Sequence, residues 1–271
     1  MASFLDQFIA FGTDAAGLER TMRFIQSIAI IVVSYPVLLS QLLSTHPVAK
    51  HAVYFLTIRK LMDWLNVTRR SLRTFRFLES WKKSQTMYES QAAKSIEDWL
   101  DIISASTMGM YGMLETATLV DVLRIENLSI FGQERSVTLN ERAQMFWLVA
   151  LYSAALGSGI KLLRLFAYRA VPDSGAGFAG KDSKNDEKKA KNEKKSAEER
   201  QKEREAANRE FNGKVSQLGL KMLAEVLDLV LPTASLGLMK IYPGIVGIAM
   251  LCSTVITGRN VWIRCAQKLP A

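Results

Sequence analysis

Two cysteines and two histidines are all that a chain of 271 residues offers to thiol or metal chemistry. Two Cys cannot build a disulfide framework, nor fill a zinc site without help. Cys252 and Cys265 both lie in an apolar C-terminal stretch, where buried thiols are the expectation. His46 and His51 stand five positions apart, which on a helix turns them about 140° away from each other. Six Pro and 16 Gly exclude Pro-rich and collagen-like chains. Sustained two-residue alternation is missing, and so is any Asn-Gly or Asp-Gly turn between β-branched runs, which argues against strands. Gly-x-Ser-x-Gly, His-Glu-x-x-His and paired-carboxylate patterns are absent as well. The run from Gly175 to Asp182 falls short of a phosphate loop: Asp182 stands where a Ser or Thr is needed, and no buried strand precedes the glycines. Catalytic, cofactor-binding and metal-binding residues are therefore expected to be none.

What is present is basic and segregated. Lys and Arg number 35 against 26 acids, a net charge of +9, while 49% of residues are apolar. Residues 172–214 form one polar block, Gly-rich and then Lys/Glu/Ala-rich, read as disordered or as a solvated single helix. Asn212-Gly213 at its end reads as a turn before the next helix. The remainder is apolar and helical in period. It divides into an N-terminal helical region at 1–135, a segment at 136–171, the block at 172–214, and C-terminal helices at 215–271. Spans of about 17–25 apolar residues cross a bilayer; 143–163 and 239–258 qualify. A third at 24–46 is the alternative, kinked by Pro36. Trp147, Lys161 and Arg164 flank the first, and Arg259, Trp262 and Arg264 the second, as interfacial anchors would. Ala150, Ala154 and Ser158 recur every four residues in one, and Ala249 and Ser253 in the other. Such small residues let helices approach closely in lipid. The fold expected is all-α, a membrane-associated helical bundle with two or three transmembrane helices.

Residues 59–83 carry the strongest local pattern. At 100° per residue, Leu61, Trp64, Leu65, Leu72, Phe75 and Leu78 gather on one arc, with Arg69, Arg73 and Arg76 on its flank and Arg70 further round. A basic amphipathic helix of this kind lies in a headgroup layer, rings towards the acyl chains and guanidiniums on the phosphates of anionic phospholipid. Phe77 and Trp81 spoil the polar side. Nucleic acid, the other polyanion that +9 would suit, has no recognition motif here and is not expected as a partner. Glu115, Asp121, Glu225 and Asp228 lie in or beside apolar segments, where ionisable groups raise the alternative of a solute pore. A soluble helical adaptor is the other alternative.

Three places resemble the peroxin-11 family of peroxisomal membrane proteins, most closely its fungal members. In FGTDAAGLERTMRFIQSIAIIV, the residues Gly17, Arg20, Arg23 and Gln26 fit the family's opening, while Leu18-Glu19 replaces an Arg-Asp pair and Ser27 an aromatic. In RRSLRTFRFLESWKK, the matching residues are Arg73, Phe75 and Arg76. In IYPGIVGIAMLCSTVITGRNVW, they are Gly244, Gly247, Ser253 and Trp262. The departures mark a divergent member. The resemblance implies a protein of the peroxisomal membrane that remodels and elongates it before fission and self-associates. It also implies recruitment of fission machinery, insertion by a peroxin-19-type import receptor and, in some members, passage of metabolites.

Overall fold

The computed structural model describes residues 4–42, 51–123, 125, 127–169 and 186–268, and every regular element among them is a helix. The order is α1 (Phe4–Thr13), α2 (Ala15–Ser34), α3 (Pro36–Leu42), α4 (His51–Leu72), α5 (Arg76–Glu89), α6 (Ile96–Ala117), α7 (Leu119–Leu123), α8 (Gln133–Arg169), α9 (Asp186–Ser235) and α10 (Pro243–Gln267). Local chemistry sets several boundaries. Asp14 caps α2 by accepting from the Ala16 and Gly17 amides at 3.0 and 3.3 Å. Pro36, which cannot donate to the preceding turn, separates α2 from α3. Ser95 and Asp98 form a reciprocal capping box on α6. Pro243 opens α10 at a position where its missing N–H costs nothing.

The long helices close on themselves. Helix α6 packs on α8, α8 on α9, α9 on α10, α10 on α2, and α2 on α4, which returns to touch α6; α5 lies outside, against α6. Small residues make the close contacts. Gly244 and Gly247 of α10 admit Tyr35 and the Ile30–Ile31 pair of α2, where an added Cβ would stand 2.6 and 2.9 Å from the nearest side-chain atom. On α8, Ala150 and Ser158 are buried and Ala154 half-buried, and the Ser158 hydroxyl donates to Glu225 of α9 at 2.9 Å.

Several elements depart from the sequence reading. Of the two readings of the polar block, helix is the one its described part adopts, and the helix does not stop at the block's end: α9 begins at Asp186 within it and runs without a break past residue 214 to Ser235. Residues 172–185 lie outside the described ones. Lys, Glu and Ala favour helix, the Glu210–Lys214 pair closes one turn at 2.6 Å, and the docked C-terminal half extends the helix backwards. Asn212-Gly213 is helical, not a turn. The apolar segment placed at 239–258 starts as helix only at Pro243 and runs on to Gln267. The stretch 59–83 is two helices. Phe75 takes a left-handed backbone (φ +68°) between α4 and α5, a conformation that costs a bulky residue about 1–2 kcal/mol. The elbow turns α5 onto α6, so Phe77 and Trp81 face a neighbour rather than water: Trp81 lies over Gly109, and Phe77 over Gly112.

Gly109 is thus a packing requirement, since a Cβ there would sit 2.1 Å from the Trp81 ring. Gly109→Leu is expected to cost ~1–3 kcal/mol in thermal unfolding followed in detergent. Gly213→Ala, in open helical space, is expected to stabilise by roughly 0.4–1 kcal/mol. Equal melting of wild type and Gly109→Leu would show that α5 does not pack on α6 this way.

Candidate functional site: an apolar exterior around an arginine cluster

The bundle carries its hydrocarbon outside. On α8, Met145, Val149, Tyr152, Leu156 and Leu163 are exposed along one face. At 1.5 Å per residue that face is about 27 Å long. On α10, Ile245, Ile248, Val255 and Ile263 repeat the arrangement over the same length. Both helices are long and apolar enough to span a membrane. Only 28% and 33% of their apolar windows are buried inside the protein, so neither is enclosed by the rest of the chain. A hydrocarbon core of ~30 Å matches the two stripes. A third apolar face belongs to α4, where Val53, Leu56, Leu61 and Trp64 point outward, Trp64 at 77% exposure. Phe75 and Leu78 continue it beyond the elbow.

The interior is ionic. Glu19 of α2 is buried and receives Nε and Nη2 of Arg69 at 3.1 and 3.0 Å, with Arg20 at 3.4 Å and Arg73 at 4.0 Å. Gln26, two turns further along the same face, accepts from Arg69. Glu115 of α6 accepts from Arg73 at 2.7 Å and from the Tyr111 hydroxyl at 2.9 Å, and Arg70 approaches it at 3.5 Å. Arg23 pairs with Asp228 of α9 and donates to Ser253 of α10 at 3.1 Å, so one side chain joins three helices. Burial would raise the Glu19 carboxyl, but the four guanidiniums of Arg20, Arg69, Arg73 and Arg23 hold it at about 2. Burial lifts the Tyr111 phenol to about 12, which keeps it a donor to Glu115. The Tyr111 ring stacks on Trp147 at 5.4 Å. Two cavities meet at this group, one of about 280 Å³ on the Arg20–Arg76 side and one of about 500 Å³ on the Arg70–Asn140 side. Arg73, Tyr111, Glu115 and Trp147 line both.

The expected lipid-contacting set therefore divides. Leu61, Trp64, Phe75, Leu78 and Arg76 are exposed, whereas Leu65 and Leu72 are half-buried. Arg69, Arg70 and Arg73 turn inward onto Glu19 and Glu115, not outward onto headgroups, because those carboxylates stand within reach across the bundle. Of the small residues placed at helix contacts, Gly244, Gly247, Ala249 and Ser253 are all buried on α10. Four of the flanking anchors meet partners within the protein. Trp147 stacks inside, Trp262 packs against Phe4 and Phe11, Lys161 pairs with Asp101, and Arg264 with Asp14 at 2.8 Å. Cys265 is buried but Cys252 is exposed, since it falls on the outward face of α10. Glu19 and Tyr111 were not singled out from sequence as site residues. In the sequence Glu115 and Asp228 stand out only as acids amid apolar residues.

The chain matches the family model described as Peroxisomal biogenesis factor 11 (PEX11) over residues 5–262. No curated protein and no solved structure matches it. The chain belongs to the peroxisomal biogenesis factor 11 family, a family of organelle-biogenesis proteins and not of enzymes.

Two tests follow from the cluster. Glu19 titrates at about 2 when folded and near 4.5 otherwise, so its contribution is complete above pH 4.5 and disappears as pH falls towards 2. Glu19→Gln is expected to lower stability at pH 7 by roughly 3 kcal/mol and to flatten the acid limb of the melting temperature. Arg23→Ala leaves the largely enclosed Asp228 unpaired, and about 3 kcal/mol should be lost; joint Arg23→Met and Asp228→Leu should recover most of it. If the double variant melts no higher than the single, the pairing is wrong.

Proposed function

We propose that this chain shapes the peroxisomal membrane, elongating it ahead of division, and that it works without catalysing a reaction. Family membership supports the organelle and the process. The observation that carries the reading is the inverted distribution of polarity: ionic groups enclosed by the helices, and apolar stripes of membrane-core length on the outside of α8 and α10. Those two helices anchor the chain in the bilayer. Helix α4 lies in one leaflet with Val53, Leu56, Leu61 and Trp64 among the upper acyl chains, and Lys60 in the middle of that face snorkels to anionic phosphates. Phe75 and Leu78 extend the wedge past the elbow. Shallow insertion on one side enlarges one leaflet relative to the other and favours curvature. The inward arginines hold α4 against α2 so that insertion displaces lipid and does not simply tilt the helix. Self-association would multiply the effect. A peroxin-19-type receptor for insertion and fission machinery as later partners belong to the same proposal, on the resemblance alone.

A second reading, a path for small solutes, is favoured by the two polar cavities meeting at Arg73 and Glu115 within the ring of helices. It predicts liposome conductance that changes with Asp228→Asn. A soluble adaptor role would leave the exposed apolar stripes without a solvent to suit them.

The wedge is tested with the full-length chain reconstituted into liposomes containing anionic lipid and imaged by electron microscopy. Wild type is expected to draw tubules. Leu61→Glu with Trp64→Glu should abolish them while moving stability by no more than ~0.5 kcal/mol, because both side chains are exposed. Round vesicles with wild type at every lipid composition, or tubules undiminished in the double variant, would end this account.

A further inference from the structure

We infer that the smaller of the two interior cavities is a binding site for a phosphate group, carried by a free anion or by a lipid headgroup. Its walls bring together Arg20 and Arg23 from α2, Arg73 from the turn after α4, and Arg76 from the start of α5, and the carboxylates of Glu19, Glu79, Glu115 and Asp228 share the lining. Its volume of about 280 Å³ equals roughly nine waters at ~30 Å³ each, ample for one phosphate and its residual hydration.

Charge is the first argument. Arg20, Arg23, Arg69, Arg70 and Arg73 all lie at 23% side-chain exposure or less, and the carboxylates among them are Glu19, Glu115 and Asp228. Over the two adjoining cavities together, with Arg69 and Arg70 lining the larger one, five enclosed cations against three anions leave an excess of about two positive charges in a region of low dielectric, where unmatched charge is costly. Arg76 adds a further guanidinium at the mouth, and no ion pair closes on it among the described residues. The rim carboxylate Glu79 is exposed, where water and salt screen it. Inorganic phosphate or a phosphomonoester carries ~1.5 to 2 negative charges near neutral pH, which matches the excess.

Unused donors are the second argument. The Nε atoms of Arg23 and Arg73 are buried without an acceptor, although each side chain is engaged through its terminal nitrogens. Buried donors of this kind are rarely left unpaired. Guanidiniums present N–H groups in a fork that fits phosphate oxygens, and chloride offers neither the geometry nor the second charge. At Arg20, burial lowers the proton affinity, Glu19 and Asp228 oppose this, and the Arg23 and Arg76 charges add to the lowering. An anion between them would relieve that repulsion. Because Arg73 and Arg76, on either side of Phe75, both line the cavity, an occupied site would also brace the elbow. The inference does not depend on whether the chain bends membranes.

The experiment uses the full-length protein in phosphatidylcholine nanodiscs, with thermal unfolding followed at increasing sodium phosphate against sodium chloride of equal ionic strength. Phosphate is expected to raise the melting temperature saturably, and chloride is not. Arg76→Gln should weaken the apparent affinity about tenfold, as loss of one charge-assisted contact does. Its side chain is exposed and unpaired, so the variant folds; Arg20→Gln provides the second reading, and Lys82→Gln, away from the cavity, should behave as wild type. A parallel series places phosphatidic acid in the discs. If that lipid stabilises the protein and removes the further effect of phosphate, the occupant is a headgroup; if phosphate acts unchanged beside it, the occupant is soluble. Either result supports the site. Stabilisation by neither phosphate nor phosphatidic acid, or stabilisation equal in Arg76→Gln, Arg20→Gln and wild type, overturns it.

Discussion

A carboxylate cannot be enclosed by a helical bundle unless cations come with it, and the Glu19 cluster is where this chain meets that requirement. Desolvating an ion costs several kcal/mol even after relaxation, and only close pairing and hydrogen bonding recover it. Here the pairing is supplied by helices far apart in sequence: Arg69 and Arg73 lie some 50 residues from Glu19, and Asp228 lies 205 residues from Arg23. Each pair fixes the rotation of a helix about its own axis. With α2 turned so that Glu19, Arg23 and Gln26 face inward, Phe24, Ile25 and Ile28 have to face out. With α4 turned by Arg69, its Leu61–Trp64 edge faces out as well. The ionic interior thus dictates the apolar exterior, and in a bilayer no other arrangement would satisfy the charges, because lipid tails offer them no partner.

The residues behind the family resemblance take on a physical meaning in this arrangement. Gly17 lets α1 fold back, since a Cβ there would meet the Phe11 carbonyl at 2.0 Å. Arg20, Arg23 and Gln26 are the inward row of α2. Gly244, Gly247 and Ser253 form the face of α10 that receives that helix, and Trp262 closes over Phe4 and Phe11 at the far end. The N- and C-terminal motifs, more than 200 residues apart, are two sides of one α2–α10 contact. The replacement Ser27 fits the same account: it is fully buried, with its hydroxyl turned back on the Phe24 carbonyl at 2.7 Å, so no room is needed for an aromatic ring.

Period and composition made the all-helical class and the two helices long and apolar enough to span a membrane legible, because each depends on short-range pattern. What they could not supply was the direction of the arginines. On a helical wheel Arg69 and Arg73 flank an apolar arc, and the same wheel fits a headgroup-binding helix and a helix pairing inward. The deciding fact is the position of Glu19 and Glu115, which is tertiary. Trp147 misled for a related reason: a tryptophan near the end of an apolar run resembles a membrane anchor, yet Tyr111 provides a stacking partner inside. Phe77 and Trp81 looked like flaws in an amphipathic pattern until the break at Phe75 gave α5 its own axis and its own neighbour.

That break separates two tasks that one continuous helix could not perform. A straight helix through 59–83 would have to keep Arg69 and Arg73 on the carboxylates and Phe77 and Trp81 on α6 with a single rotation and a single axis. The left-handed turn at Phe75 costs about 1–2 kcal/mol. Docking α5 on α6 offsets it: the Trp81 ring lies over Gly109, and Ser84 bonds to Ser106 at 2.6 Å and to the Ile102 carbonyl at 3.3 Å. The phenyl ring of Phe75 gains nothing inside the protein, for it is 65% exposed at the apex of the turn. A glycine or asparagine would take the same backbone more cheaply. An aromatic ring held outward by a strained backbone, next to the exposed edge of α4, is better matched to the acyl boundary of a membrane than to water.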